Sequence, residues 1–176
     1  FLNNDFYKGT CTFKNETGDY DITYSNGIIS KAIIKFTDGS SYEGTCTSTK
    51  LTGSGTMVFT NGDSYFGAFV DGKRSGEGVY KWSSGDEYNG DWHEDKMEGS
   101  GEYKYSNGNY AKGTFKMNTF SDGDYYCKND AGTYEYSVTS GTPTSVDISL
   151  NNGTTYKGDM SNGKLTGEAK IKYSNG

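Results

Sequence analysis

The sequence has little of what most globular cores are built from: one proline, one histidine and only 16 leucine, isoleucine and valine residues among 176. The single proline excludes a proline-rich linker, so the length predicts one domain. So few aliphatic residues would normally indicate disorder. However, the chain has 16 tyrosines, 9 phenylalanines and 2 tryptophans, and each such ring can bury about 150–250 Å². The predicted core is therefore aromatic.

Basic charge and long apolar runs are also lacking. The formal net charge of −6 argues against nucleic acid binding, which depends on Lys and Arg neutralising phosphates, and gives no support to contact with an anionic membrane. No apolar run reaches about 18 residues, and no signal peptide is visible. The sequence starts at Phe1 and stops at Gly176 inside a recurring Tyr-Ser-Asn-Gly phrase, so we expect a piece of a longer protein.

The residues that carry most catalytic and metal chemistry are scarce. His93 is the only histidine, so a catalytic triad or a histidine-based metal site lacks its second member. Cys11, Cys46 and Cys127 show no Cys-x-x-Cys spacing, which favours a reduced, intracellular setting or a secreted protein that does not depend on disulfides. We expect no enzyme activity, no metal and no cofactor.

Carboxylates cluster in the middle of the chain, at Asp86, Glu87, Asp91, Glu94, Asp95 and Glu98. The cluster has neither the regular spacing of a calcium loop nor two carboxylates opposed across a cleft, as a glycosidase requires. We predict a solvated edge, and the alternative is a docking site for a basic partner.

Glycine is abundant, with 26 residues, and it recurs with a fixed period. Tyr-x-Gly begins at Tyr42, Tyr65 and Tyr88, 23 residues apart, and each copy continues with a Gly-x-Gly pair, an aromatic residue and a turn glycine. Rings and glycines alternate with period 2, so each unit is predicted to be a β-hairpin and helix to be nearly absent. A glycine beside a ring lets that ring lie flat over the backbone.

A longer repeat contains the shorter one. Shifting the chain by 114 residues lays 7–62 on 121–176 without a gap, and we predict that the two blocks match strand for strand. Half units such as 30–41 are predicted to be single extra strands. Turns are predicted where residues tolerate a positive φ: Asp38-Gly39, Asn61-Gly62, Asp71-Gly72, Asn107-Gly108, Asn152-Gly153 and Asn175-Gly176.

The pattern Tyr-x-Gly-x-aromatic, with Gly-x-Gly nine residues after the first glycine, resembles the membrane occupation and recognition nexus (MORN) repeat. The resemblance runs from Tyr7 to Gly176, so we expect one repeat array over 1–176. It implies an all-β fold, an elongated single-layer antiparallel β-hairpin solenoid with an aromatic-lined groove along one face. The best copies are 42–64, 65–87, 88–110 and 156–176.

Proteins similar to this family are mostly scaffolds that dock a partner segment or hold proteins at cytoskeletal or membrane-adjacent structures. The expected function is a non-enzymatic protein-protein interaction module for a protein or peptide segment, which nearby carboxylates bias towards basic charge. The alternatives are an accessory module of a larger enzyme and a lipid- or carbohydrate-binding surface. The cytoplasm is the favoured compartment, and the oligomeric state stays open.

The partner-binding groove is expected where the largest rings share one face of the central hairpins. Truncating a few large aromatic residues usually removes most of the energy of an interface. The predicted groove residues are Tyr65, Phe69, Trp82, Tyr88, Trp92, Tyr103, Tyr105 and Phe115.

Overall fold

The structure is a computed structural model that describes residues 7–47 and 50–173, without the side chains of 167–169. These residues form strands and no helix, so none of them forms a helix able to cross a membrane. Within each unit, strands that follow one another in the chain pair antiparallel, which confirms the predicted antiparallel sheet of hairpins. The strands are β1 (Lys8–Asn15), β2 (Gly18–Ser25), β3 (Ile28–Phe36), β4 (Ser41–Cys46), β5 (Leu51–Val58), β6 (Ser64–Val70), β7 (Lys73–Lys81), β8 (Glu87–His93), β9 (Lys96–Lys104), β10 (Tyr110–Lys116), β11 (Thr119–Asn129), β12 (Gly132–Thr139), β13 (Thr142–Leu150), β14 (Thr155–Ser161) and β15 (Lys164–Lys172).

The chain divides into two compact units. Unit 1 comprises residues 1–85 with 91–96, and unit 2 comprises 86–90 with 97–176. The predicted single array over 1–176 stays a prediction.

The duplicated blocks have the same strands. β2 and β3 lie 114 residues before β12 and β13 with identical lengths, and β1, β4 and β5 correspond to β11, β14 and β15. The register is also repeated, including a bulge after Thr23 in the first block and after Ser137 in the second. The prediction of matching strands is confirmed for the described part of both blocks, which leaves out 48–49 and 174–176.

Two kinds of connection join the strands. Tight turns place two consecutive residues at positive φ, as at Asp71-Gly72, and this backbone matches the twist of the flanking strands. Glu94-Asp95 and Met117-Asn118 form such turns without glycine, so the sequence did not reveal them.

Longer connections contain the other predicted turn glycines. Gly39, Gly62, Gly108 and Gly153 have positive φ, and each amide donates to the carbonyl oxygen three residues earlier. These turn predictions are confirmed. Asn175-Gly176 lies outside the described residues.

The core repeats one arrangement, in which a tyrosine covers two glycines. In unit 1 the ring of Tyr65 is fully buried, and a Cβ atom added to Gly67 or Gly78 would collide with it. Gly67 is two residues further along the same strand, and Gly78 is its cross-strand partner. The Tyr65 hydroxyl donates a hydrogen bond of 3.0 Å to the Ala68 carbonyl. In unit 2, Tyr88 covers Gly90 and Gly101 in the same way.

The two glycines of a Gly-x-Gly pair serve different purposes. Gly78 has ordinary extended backbone and supplies space for a ring, whereas Gly76 has a φ of 74° at a register shift between β6 and β7. A bulge of this kind needs a residue that adopts positive φ at low cost. Gly53 has the same φ at the equivalent shift in the preceding hairpin.

Burial of these tyrosines predicts loss of stability at alkaline pH. Burial raises the pKa of Tyr42, Tyr65, Tyr80 and Tyr103 to about 12, against about 10 in an unfolded chain. Because the pKa is higher in the folded than in the unfolded chain, burial of the neutral phenols stabilises the fold, and this contribution is complete below pH 10. It is lost as the pH rises through 12. We expect absorbance at 295 nm to show these phenols ionising together with unfolding, after the exposed tyrosines. Full ionisation near pH 10 in a folded protein would contradict this prediction.

Candidate partner-binding surfaces

Three of the predicted groove residues form the core of unit 1. Tyr65, Phe69 and Trp92 are at most 4% exposed. Tyr65 meets the other two rings edge to face, with centroid distances of 5.1 Å to Phe69 and 5.5 Å to Trp92. The Trp92 indole N–H donates to the Gly78 carbonyl at 3.1 Å. These rings pack the hairpins together and offer little surface to a partner.

An arginine lies on this aromatic core. The Arg74 guanidinium is 4.4 Å from the centroid of the Trp92 ring and 4.9 Å from that of Tyr80, within the range of cation–π attraction. Asp95 holds it there, because its Oδ1 accepts from the Arg74 backbone N–H and Nε at 3.0 Å each. Apolar Leu51 and Met97 stand 23 residues before and after Arg74. A basic residue at a position where the neighbouring repeats have apolar residues was the signal in the sequence that could have predicted this contact.

Trp82 is the predicted groove residue of unit 1 that stays partly exposed. Its ring packs on Tyr80 with a centroid distance of 4.6 Å, and Phe59 reaches Tyr80 from the preceding hairpin at 5.8 Å. The Tyr80 hydroxyl donates to Asp63 Oδ2 at 2.7 Å, which fixes the ring beneath Trp82. A rigid support of this kind lowers the entropy cost of using Trp82 as a contact.

Unit 2 separates buried from exposed rings in the same way. Tyr88 and Phe115 are buried and meet edge to face at 4.9 Å. Tyr103 is half-buried, whereas Tyr105 is 38% exposed and lies 4.7 Å from Tyr103. The Tyr103 hydroxyl donates to Asp86 at 3.0 Å.

The exposed rings of unit 2 continue beyond the predicted groove. Tyr125 lies 6.3 Å from Tyr105, and Tyr136 lies 6.3 Å from Tyr125. Both are half-buried cross-strand partners. Neither residue was predicted as part of the groove, because the equivalent residues of the first block are Cys11 and Ile22. The period-2 alternation of β11 and β12 was the signal that could have found them.

In each unit, one aspartate accepts hydrogen bonds from the next hairpin along the chain. In unit 1 the Ser83 backbone N–H donates to Asp63 at 2.8 Å, and this bond, with that from Tyr80, lowers the pKa of the Asp63 carboxyl. In unit 2, Asp86 accepts from the Ser106 backbone N–H at 2.8 Å as well as from Tyr103. Asp86 and Asp95 of the acidic cluster therefore have structural partners. Within 7–47 and 50–173 no group of three His, Cys, Asp or Glu residues is arranged to hold a metal ion.

The solved structures that resemble this chain include two from Drosophila melanogaster. The SAS-4 TCP domain, solved in complex with a proline-rich motif of Ana2, is 11% identical with a TM-score of 0.38, over 93% of this chain and 88% of that one. The TCP10c domain of Sas-4 is 12% identical with a TM-score of 0.38, over 93% and 98% of the two chains. A search of curated proteins finds no match.

The family comparison agrees with the repeat that the structure displays. The MORN repeat model matches residues 42–64, 65–87, 88–110 and 156–176, the four segments predicted as the best copies. Together these segments make up about half of the chain, and each described copy contains a tyrosine placed over glycine. The chain belongs to the MORN repeat family.

Proposed function

We propose that this protein is a non-enzymatic interaction module that binds an extended segment of a partner protein through partly exposed aromatic rings. The observation that carries the proposal is that each unit, taken by itself, contains both buried and partly exposed rings. Trp82 in unit 1 and Tyr103 and Tyr105 in unit 2 keep part of their surface exposed, while Tyr65 and Trp92 in unit 1 and Tyr88 and Phe115 in unit 2 are buried.

The exposed rings have the physical properties of interface anchors. A tyrosine or tryptophan that is already held in place loses little side-chain entropy on binding, and its large apolar surface leaves water when a partner covers it. Tyr80 supports Trp82, and the bond from Tyr103 to Asp86 fixes the ring beside Tyr105. Binding through such rings needs no rearrangement of the sheet.

Charge favours a basic partner. The chain has a net charge of −6, and in unit 2 the Asp86 carboxylate accepts a hydrogen bond from Tyr103, which packs on the exposed Tyr105. Opposite charge chiefly raises the association rate and disfavours acidic competitors. We therefore propose a partner segment with apolar side chains for the rings and Lys or Arg beside them.

The test begins with a phage-displayed library of random 16-residue peptides and continues with the dissociation constants of the selected peptides. We expect enrichment of basic peptides with apolar anchors. Trp82→Ala or Tyr105→Ala should weaken binding about 10-fold or more, the usual cost of losing an anchor. The matched control is Phe66→Ala, which removes a ring that is 61% exposed and adjacent in sequence to buried Tyr65, hence on the opposite face.

Folding of each variant is checked by circular dichroism. Equal binding by folded Trp82→Ala, Tyr105→Ala and parent proteins would overturn the proposal. Failure to select any peptide, with binding to lipid vesicles or glycans instead, would favour the alternative surface function.

A further inference from the structure

Unit 1 contains an apolar cleft that lies apart from the rings of the proposed partner site. Its volume is about 860 Å³, and strands β1 to β5 contribute its walls. This volume lies within the range of small-molecule sites. The wall residues that matter below are Cys11, Phe13, Tyr20, Ile22, Ile34 and Cys46.

Strand register explains why these side chains meet. Cys11 pairs with Ile22, and Phe13 pairs with Tyr20, which in turn pairs with Ile34 on the next strand. Cross-strand partners share a face of the sheet, so these residues form two adjacent rows. Phe13 and Tyr20 stack in parallel at 4.8 Å, which gives the cleft a flat aromatic wall.

The charged residues at the cleft already have partners. Lys14 pairs with Asp19 at 2.7 Å, and Lys50 lies 3.4 Å from Asp71. Lys14 alternates with Phe13 along β1, so it belongs to the opposite face of the strand. Polar groups at the rim are also used, because Asn15 Oδ1 accepts the backbone N–H groups of Thr17 and Gly18.

The remaining polar side chains of the walls are thiols and hydroxyls. Burial raises the pKa of the Cys46 thiol, which favours its neutral form. The Tyr20 hydroxyl bonds to the Thr17 hydroxyl. A charged ligand would therefore lose its hydration in this cleft without gaining a free partner of opposite charge, which is unfavourable.

The duplicated block has larger side chains at two of these wall positions. Cys11 and Ile22 correspond to Tyr125 and Tyr136 in unit 2, and both pairs are cross-strand partners. The two tyrosines add large rings at positions where unit 1 has small or aliphatic side chains. Other wall positions change in the opposite direction, since Cys127, Ala131 and Leu150 replace Phe13, Thr17 and Phe36. Unit 2 thus shows that the same strands accommodate tyrosine at the positions of Cys11 and Ile22.

We propose that the cleft of unit 1 binds a small, uncharged, apolar molecule. Its apolar walls, its volume and the pairing of its rim charges support that class of ligand. This site is independent of the partner-binding rings, so either proposal can fail without the other.

The first test uses Nile red, an uncharged dye that becomes fluorescent in apolar surroundings. We expect saturable binding at one site per chain. The double variant Cys11→Tyr with Ile22→Tyr should weaken binding about 10-fold or more while retaining the strand spectrum, because unit 2 has the same pair. The reverse variant, Tyr125→Cys with Tyr136→Ile, should add a second site. Trp82→Ala serves as the control and should bind the dye like the parent.

The second test uses the three free thiols, all half-buried. Saturating 1-decanol should slow alkylation of Cys11 and Cys46 by N-ethylmaleimide, whereas Cys127 in unit 2 should react at its original rate. Decanoate should displace Nile red at least 10-fold less well than 1-decanol, since its carboxylate would be desolvated.

Three outcomes would overturn the proposal. The first is unchanged Nile red affinity in the folded Cys11 and Ile22 double variant. The second is equal protection of all three thiols by 1-decanol. The third is displacement by decanoate as effective as displacement by 1-decanol, which would indicate an anionic ligand instead.

Discussion

Replacement of Gly78 by alanine is expected to lower the free energy of unfolding by about 3 kcal/mol, the upper part of the range for overpacking a core. The backbone at Gly78 is extended and accepts any residue, so the loss of stability comes only from steric overlap of the added methyl group. An added Cβ would meet the Tyr65 hydroxyl and ring carbons. Tyr65 is fully buried and contacts the rings of Phe69 and Trp92, so these rings oppose its displacement. Urea unfolding followed by tryptophan fluorescence measures the effect, because Trp82 and Trp92 both lie in unit 1.

Gly72→Ala is the matched control for this change. Gly72 has a φ of 85°, but a Cβ there would meet nothing within 4 Å, so its cost is that of backbone strain, about 1 kcal/mol. A double-mutant cycle with Tyr65→Ala adds a second control. If the ring causes the cost, Gly78→Ala should be much less harmful once the ring is removed. Equal costs for Gly78→Ala and Gly72→Ala would contradict the prediction.

The strand pattern could be predicted because repetition turns weak local signals into strong ones. A single Tyr-x-Gly phrase says little, but a 23-residue period places each ring and each glycine at a known position of a hairpin. The 114-residue shift then settled the half unit 30–41, since β3 and β13 must be equivalent wherever the sequence is shared. Period-2 alternation also indicated which side chains share a face, and Tyr65 does cover Gly78.

The exposure of individual rings could not be predicted from alternation. Tyr65 and Trp82 are both expected on the same face, but their burial depends on which rings from neighbouring hairpins reach them. Tyr65 is enclosed by Phe69 and Trp92, whereas Trp82 lies just after the end of β7, is half-buried and packs on Tyr80. The contact of Arg74 with the aromatic rings was not predicted for a similar reason. It depends on Asp95, which holds the guanidinium in place and lies 21 residues away along the chain.

The two tryptophans are expected to differ sharply in stability. Trp92→Ala should lower the free energy of unfolding of unit 1 by about 3–5 kcal/mol, as expected for a large buried ring. Trp92 is 4% exposed, contacts Tyr65 and Tyr80, lies beneath the Arg74 guanidinium and donates to the Gly78 carbonyl. Trp82→Ala removes a partly exposed ring and should cost about 1 kcal/mol. Urea unfolding followed by far-ultraviolet circular dichroism measures both variants without depending on the removed fluorophore.

Trp92→Phe separates the structural role of Trp92 from a role in binding. Phenylalanine keeps an aromatic ring against Tyr65 and removes the N–H bond to Gly78, so we expect a modest loss of stability, about 1–2 kcal/mol. Since Trp92 is buried, the folded variant should bind a selected peptide with unchanged affinity, whereas folded Trp82→Ala should bind it about 10-fold more weakly. The opposite result would be a 10-fold loss of affinity in folded Trp92→Phe together with normal binding by Trp82→Ala. It would show that the partner contacts buried Trp92 and that the Trp82 ring only packs against its neighbours.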